Sequence, residues 1–181
     1  MASSLERLKL SHGVTVTWHA YELRPQGSPP LPEEYKQYIE AARPRLEAIA
    51  REHYGLELHP GPTGQSSRLA HIGGKVAAAL GQSEAYHRVV LQGYWQEGQA
   101  IGNRDVLADL AVSAGLNRAD FLAGLDDPQY DEAVTADVEQ AFQYGLGGVP
   151  ALIFAHKYLV SGAQPYTTLV QVTEKVLTQL Q

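Results

Sequence analysis

Gly147-Gly148-Val149-Pro150 is the sharpest candidate for chemistry in this 181-residue chain. On their own, these residues read as a turn that sets the start of a strand. Gly162-Ala163-Gln164 follows the next strand and reads as a turn with a polar residue ahead of Pro165. Seven histidines raise a metal reading, with His53 and His59 flanking Gly55 near Glu52 and Glu57. No HExxH or other compact ligand spacing occurs, so they read as surface groups and no metal site is expected. His71 and His87 lie on helical faces and read as capping or packing groups. Ser3 and Ser4 read as helix caps, and no serine-histidine-acid order or nucleophile elbow is visible. Asp126-Asp127 and Glu33-Glu34 are sequence neighbours, which does not bring two carboxylates onto one bond, and solvated faces explain them. Gly73-Gly74 lies inside a helical pattern and not after a strand, so it is no phosphate loop. The chain has no cysteine, which excludes disulfides, thiolate metal sites and thiol nucleophiles in it. No catalytic residue is assigned and no cofactor is implied.

The elements that must position these residues follow from periodicity. Ser3-Ser4-Leu5-Glu6 has a capping-box pattern, predicting a short helix to about Leu10. VTVTWHAY, residues 14–21, alternates Val14, Val16, Trp18 and Ala20 against Thr15, Thr17, His19 and Tyr21, the period of a strand. RPQGSPPLP is a proline-rich connector. From Glu33 to Tyr144 the period is helical. A first helix ends at Gly55, with a kink or break expected at Pro44. Further helices begin near Ser66-Ser67, Ser83, Asn103, Asn117 and Asp127, and most stop at a glycine. Tyr86, Tyr94, Trp95, Phe121, Tyr130, Phe142 and Tyr144 are expected to build the core of this helical region. ALIFA and YLV, joined at His156-Lys157, predict an antiparallel hairpin. An amphipathic helix with Leu169, Val172, Val176 and Leu180 on one stripe closes the chain.

Composition narrows the function classes. Apolar residues make up 44% and charged ones 19%, a globular balance long enough for one well-buried core. The net charge of −6, without a Lys/Arg cluster, argues against a nucleic-acid or anionic-membrane surface. No run approaches the ~20 apolar residues of a membrane span. The N-terminus lacks the apolar core of a secretory signal, so the chain is read as cytoplasmic.

Strand, helical insertion, hairpin, helix is the order of a thioredoxin-type domain interrupted by a helical subdomain. WHAYELRP at 18–25, SSRLAH at 66–71, YWQEGQAIGNRDVLADLAVSAGL at 94–116, GVPALIF and YLVSGAQP occur in the order and spacing of the DsbA-like thioredoxin family. Specifically, the chain resembles the cytosolic FrnE-type branch of dithiol-disulfide oxidoreductases. The related 2-hydroxychromene-2-carboxylate isomerases and kappa-class glutathione transferases share this architecture. The resemblance implies an α/β, incomplete thioredoxin-like fold. Residues 1–27 and 145–181 would form the thioredoxin-like domain and residues 28–144 an inserted helical domain.

The resemblance also implies that Pro150 is cis and lies beside the family's redox pair, with the backbone of Val149 offered to an extended substrate. Gly148, Val149, Pro150 and Gln164 are therefore the expected substrate-binding residues. The family's CxxC segment lies ahead of a Leu-Glu pair matched here by Leu5-Glu6. Counting back places both cysteines before Met1, so the chain is expected to start after them. The first strand, central in such sheets, would be absent with them. Three responses are open: VTVTWHAY pairs directly with the hairpin, a partner chain such as a second copy covers the gap, or the segment is displaced. The leading functional expectation is a DsbA/FrnE-like disulfide oxidoreductase or isomerase, redox-inactive as this cysteine-free chain. Alternatives are a non-redox protein binding a peptide or glutathione, and a glutathione-dependent isomerase or transferase acting through a hydroxyl.

Overall fold

The computed structural model describes residues 2–25 and 27–179. The described chain divides into two compact units, residues 1–21 with 138–181, and residues 22–137. The expected boundary at 144/145 lies at the end of a helix, whereas the observed one falls inside it.

In the first unit, α1 (Ala2–His12) packs against α8 (Tyr166–Gln179). The helix begins at Ala2, so Ser3 and Ser4 lie in its first turn and do not precede it as caps. Leu5, Leu8 and Leu169 form the buried centre of this layer. Burying such side chains stabilises by about 1.5–3 kcal/mol each. Val14, Val16, Trp18, Leu152, Phe154, Tyr166 and Val170 pack around them. Of the stripe predicted on α8, Leu169 and Val176 are buried, and Leu180 lies outside the described residues. Thr173 takes the third buried position, its hydroxyl donating to the Leu169 carbonyl at 2.8 Å, so no polar group is stranded.

The hairpin is β1 (Ala151–Phe154) paired antiparallel with β2 (Tyr158–Ser161), with Leu152 opposite Val160 and Phe154 opposite Tyr158. Its turn sits one residue earlier than expected. Ala155 and His156 adopt left-handed φ of 50° and 55°, and the Lys157 N–H closes the turn on the Phe154 carbonyl at 3.0 Å.

VTVTWHAY departs from expectation. Residues 14–20 keep the inside-outside alternation of burial, yet they belong to no sheet among the described residues. Packing on the Leu5-Leu8-Leu169 layer is enough to turn alternate side chains inward. A strand also needs a backbone ladder, which alternation does not provide.

The second unit is helical. It holds α2 (Glu33–Tyr54), α3 (Arg68–Ala79), α4 (Ser83–Gln96), α5 (Arg104–Ser113), α6 (Arg118–Leu125) and the first part of α7 (Pro128–Gln143). Pro44 does not break α2. Glu40, whose carbonyl loses its usual donor, is exposed, so water can serve it. Gly55 ends the helix at φ 65°. Asn103 and Asn117 cap α5 and α6, each side chain accepting two backbone N–H groups, a device that stabilises by about 1 kcal/mol.

Tyr86 and Phe121 are fully buried, with ring centroids 5.4 Å apart, at the centre of α3, α4 and α6. Gly73 of α3 lies against both rings. The other predicted core aromatics do not share this role. Trp95 is 38% and Phe142 66% exposed, because each falls off the inward face of its helix.

Candidate functional site

The site predicted at Gly148, Val149 and Pro150 lies on the loop between α7 and β1. The Val149–Pro150 peptide bond is cis. The Pro150 carbonyl accepts from the Gly162 N–H at 2.8 Å, which continues the hairpin register by one pair. Gly162 takes a left-handed φ of 80°, open to glycine at no steric cost. The loop is tied down on its other side, where the Tyr21 hydroxyl donates to the Leu146 carbonyl at 3.4 Å.

Gln164 is spatially joined to this corner, but its side chain has a structural task. Its Nε2 donates to the Ser161 carbonyl at 2.8 Å and closes the turn into α8. Pro150, Gly162 and Gln164 are thus brought together, with Gln164 bracing the far wall. Val149 differs from them. It is 47% exposed, and neither its N–H nor its C=O has a partner among the described residues.

The hairpin register orients the residues that follow Pro150. Residues in an antiparallel pair alternate between those that exchange hydrogen bonds and those that face away. Pro150 bonds to Gly162, so Leu152 and Phe154, two and four residues on, also face β2. Ala151 and Ile153 then aim their N–H and C=O groups at the opposite edge of β1, whereas Val149 lies outside β1 and across the cis bond, where that alternation does not carry. Sequence reasoning did not single out Ala151 and Ile153. The alternation counted from Pro150 across the hairpin was the signal available for them.

The second unit explains the SSRLAH motif by a charge network. Arg68 donates from Nη1 to Glu22 Oε2 at 2.8 Å, from Nε to Asp131 Oδ1 at 2.6 Å, and from Nη2 to the Thr135 hydroxyl at 2.8 Å. The guanidinium holds the Asp131 carboxyl below the usual carboxylate range through that hydrogen bond. Two open clefts of about 340 and 600 Å³ occur in this unit. The larger is lined by Gln65, Arg68, Ile72, Asn103 and Asp131 among others, and neither contains a predicted site residue. The charge of Arg68 is already spent on two carboxylates, so the larger cleft is not an anion site. Among the described residues no group of three His, Asp or Glu side chains is placed to hold a metal ion, and no helix is long and apolar enough to cross a membrane.

Comparison with known proteins agrees with the α/β reading. A family model for the DsbA-like thioredoxin domain matches residues 1–173. The Bacillus subtilis protein YwbO is 29% identical over 156 residues, which cover 83% of this chain and 76% of that protein. The probable DsbA oxidoreductase SCO1869 from Streptomyces coelicolor superposes with a TM-score of 0.80 at 26% identity, over 98% of this chain and 81% of its own. A 2-hydroxychromene-2-carboxylate isomerase superposes with a TM-score of 0.72 over 97% of this chain and 86% of its own. At 22% identity that likeness is one of fold.

Proposed function

Because the chain belongs to the DsbA-like thioredoxin-domain family, we propose that Gly148, Val149 and Pro150 form an edge that holds an extended peptide for thiol-disulfide chemistry of the FrnE type. The observation that carries this reading is the Val149 backbone, exposed and without a partner on either its N–H or its C=O among the described residues. A peptide in extended conformation supplies one acceptor and one donor at that spacing. Gln164 contributes by bracing the Gly162 corner that fixes the Pro150 carbonyl.

The polypeptide itself is redox-inactive. Disulfide exchange requires attack by a thiolate, and the sequence has no sulfur nucleophile. It therefore holds substrate and does not oxidise or isomerise it. The FrnE-type resemblance supports a cytoplasmic location. A second reading, binding of a peptide or glutathione without any link to redox chemistry, rests on the same open backbone. Hydroxyl-based glutathione isomerase or transferase activity has only the likeness of fold behind it. A second copy of the chain is a further candidate partner for the free edge.

Titration of the ¹⁵N-labelled chain with a blocked extended peptide, and separately with glutathione, tests the proposal. The Val149 amide resonance is expected to move with the peptide. An unmoved Val149 amide at saturating peptide overturns the binding edge. Turnover in an insulin-reduction assay by the purified chain overturns the redox-inactive reading.

A further inference from the structure

Where α1 meets α8, four polar side chains form a relay that the peptide reading does not use. The Tyr166 hydroxyl donates to Ser11 Oγ at 2.8 Å, and Ser11 Oγ lies 2.7 Å from His12 Nδ1. On the other side of the imidazole, Nε2 faces the Glu174 carboxylate at 3.8 Å. That carboxylate favours the ring proton on Nε2, which leaves Nδ1 as the acceptor for the Ser11 O–H. The Leu8 carbonyl competes for the same proton only at 3.4 Å. A hydroxyl bonded to a base, with the base faced by a third group, is the arrangement that activates a serine. Packing holds the set in place. The Gly13 N–H closes the last turn of α1 on the Lys9 carbonyl at 3.0 Å. The Tyr166 ring packs on the Leu5-Leu8-Leu169 layer, with the Arg7 guanidinium 3.9 Å from its centroid. Ser11 and His12 are neighbours in sequence, but Tyr166 and Glu174 reach them only because α8 packs on α1.

We infer that Ser11 is an activated nucleophile that takes an acyl group from an oxygen ester or thioester. His12 is its general base, Glu174 positions the imidazole, and Tyr166 is the donor for the oxyanion. An Oγ lone pair attacks the acyl carbon while the Ser11 proton passes to His12 Nδ1. Glu174 faces the imidazolium so formed, and its place in the last turn of α1 favours the positive charge. Once Oγ is bonded to carbon, the Tyr166 hydroxyl is free to donate to the carbonyl oxygen, which now carries the negative charge. Collapse breaks the bond to the leaving group, which departs with the proton from Nδ1 and leaves acyl-Ser11. Water then adds to the acyl carbon and gives a proton to Nδ1. Collapse releases the carboxylic acid and returns the proton to Ser11. The Ser11 side chain is exposed, so an acyl donor reaches it without rearrangement, and the Tyr166 ring beside it suits a short acyl chain. None of these residues belongs to the Val149 corner, so the inference stands apart from the peptide reading.

The test uses p-nitrophenyl acetate on the full chain. The expected result is a burst of about one equivalent of p-nitrophenol, with one acetyl group found on Ser11 by peptide mass mapping. Ser11→Ala is expected to abolish the burst. His12→Gln is expected to slow acetylation of Ser11 at least about 100-fold, the contribution of a positioned base. Glu174→Gln is expected to slow it at most about fivefold, because the pair is exposed and 3.8 Å apart. Tyr166→Phe keeps the ring under Arg7 and is expected to slow acetylation about tenfold without lowering the urea midpoint. His53→Gln, at an exposed histidine of α2, is expected to leave the burst unchanged.

An acetyl group on His12, Lys9 or Tyr166 with Ser11 bare overturns the nucleophile. A burst that survives in Ser11→Ala does the same. Acetylation of Ser11 at the parent rate in His12→Gln overturns the base, and an equal fall in His53→Gln overturns a localised site. A Tyr166→Phe protein that loses stability in step with its rate overturns the oxyanion role.

Discussion

Gly73 and Gly74 are adjacent in one helix, and alanine at each should act with opposite sign. A glycine inside a helix costs about 1 kcal/mol relative to alanine, through backbone entropy. At Gly74 a Cβ meets nothing within 4 Å, so Gly74→Ala should gain that full amount. At Gly73 a Cβ would stand 2.8 Å from Phe121 Cζ and 2.9 Å from Tyr86 Cζ, with the Tyr86 hydroxyl closer still. Neither ring can retreat easily, since Tyr86 is 1% and Phe121 0% exposed. Overpacking of a closed core costs about 1–3 kcal/mol, and two immovable rings put this site at the upper end. After the helix-propensity gain, Gly73→Ala should lose about 2 kcal/mol. The two variants should therefore differ by about 3 kcal/mol. Urea unfolding followed by far-ultraviolet circular dichroism measures this, provided the slopes agree. A Gly73→Ala protein as stable as Gly74→Ala would refute the close packing of α3 on Tyr86 and Phe121.

Two further outcomes follow from the charge network and from a half-buried histidine. Arg68→Ala strands the Glu22 carboxylate, whose side chain is 3% exposed, and should cost about 3 kcal/mol in the same urea assay. Asp131→Asn, at a half-exposed carboxylate, should cost less than about 1 kcal/mol, and equal losses would refute the burial argument. Partial burial holds the pKa of His87 below its ordinary value, with repulsion from His71 adding to it. The unfolded chain then takes up that proton first as pH falls. His87 should give its full contribution above about pH 6.5 and lose it progressively below, as pH falls toward and through the lowered folded value. Urea midpoints at pH 7.5 and 5.5 should show this loss in the parent protein and a smaller one in His87→Gln. An equal loss in both would remove His87 as the cause.

Much of the local structure was legible because it depends on nearest neighbours. Asn103 and Asn117 announced their helices by short side-chain oxygens that reach N–H groups two and three residues on. The hairpin was legible from two apolar runs with a tight link, and Gly55 from the left-handed turn after a helix. Ser83 marked its helix within one residue, although no side-chain cap bond forms at its start. The candidate site was legible as a motif, in the residues Gly148-Val149-Pro150 and the later Gln164.

What those residues do was decided in three dimensions. VTVTWHAY has every local mark of a strand, yet strand formation depends on a partner, and its alternation is spent on the α1–α8 layer. Gln164 reads equally as a turn residue or a ligand contact until its amide is seen on the Ser161 carbonyl. Arg68 is one of 14 basic residues in the sequence, and only folding brings Glu22, Asp131 and Thr135 around it. The absence of a thiol from this sequence was legible from composition alone. Chemistry that needs a particular atom can be excluded by counting residues. An open backbone edge depends on which distant segments fail to pair, and that is a property of the fold.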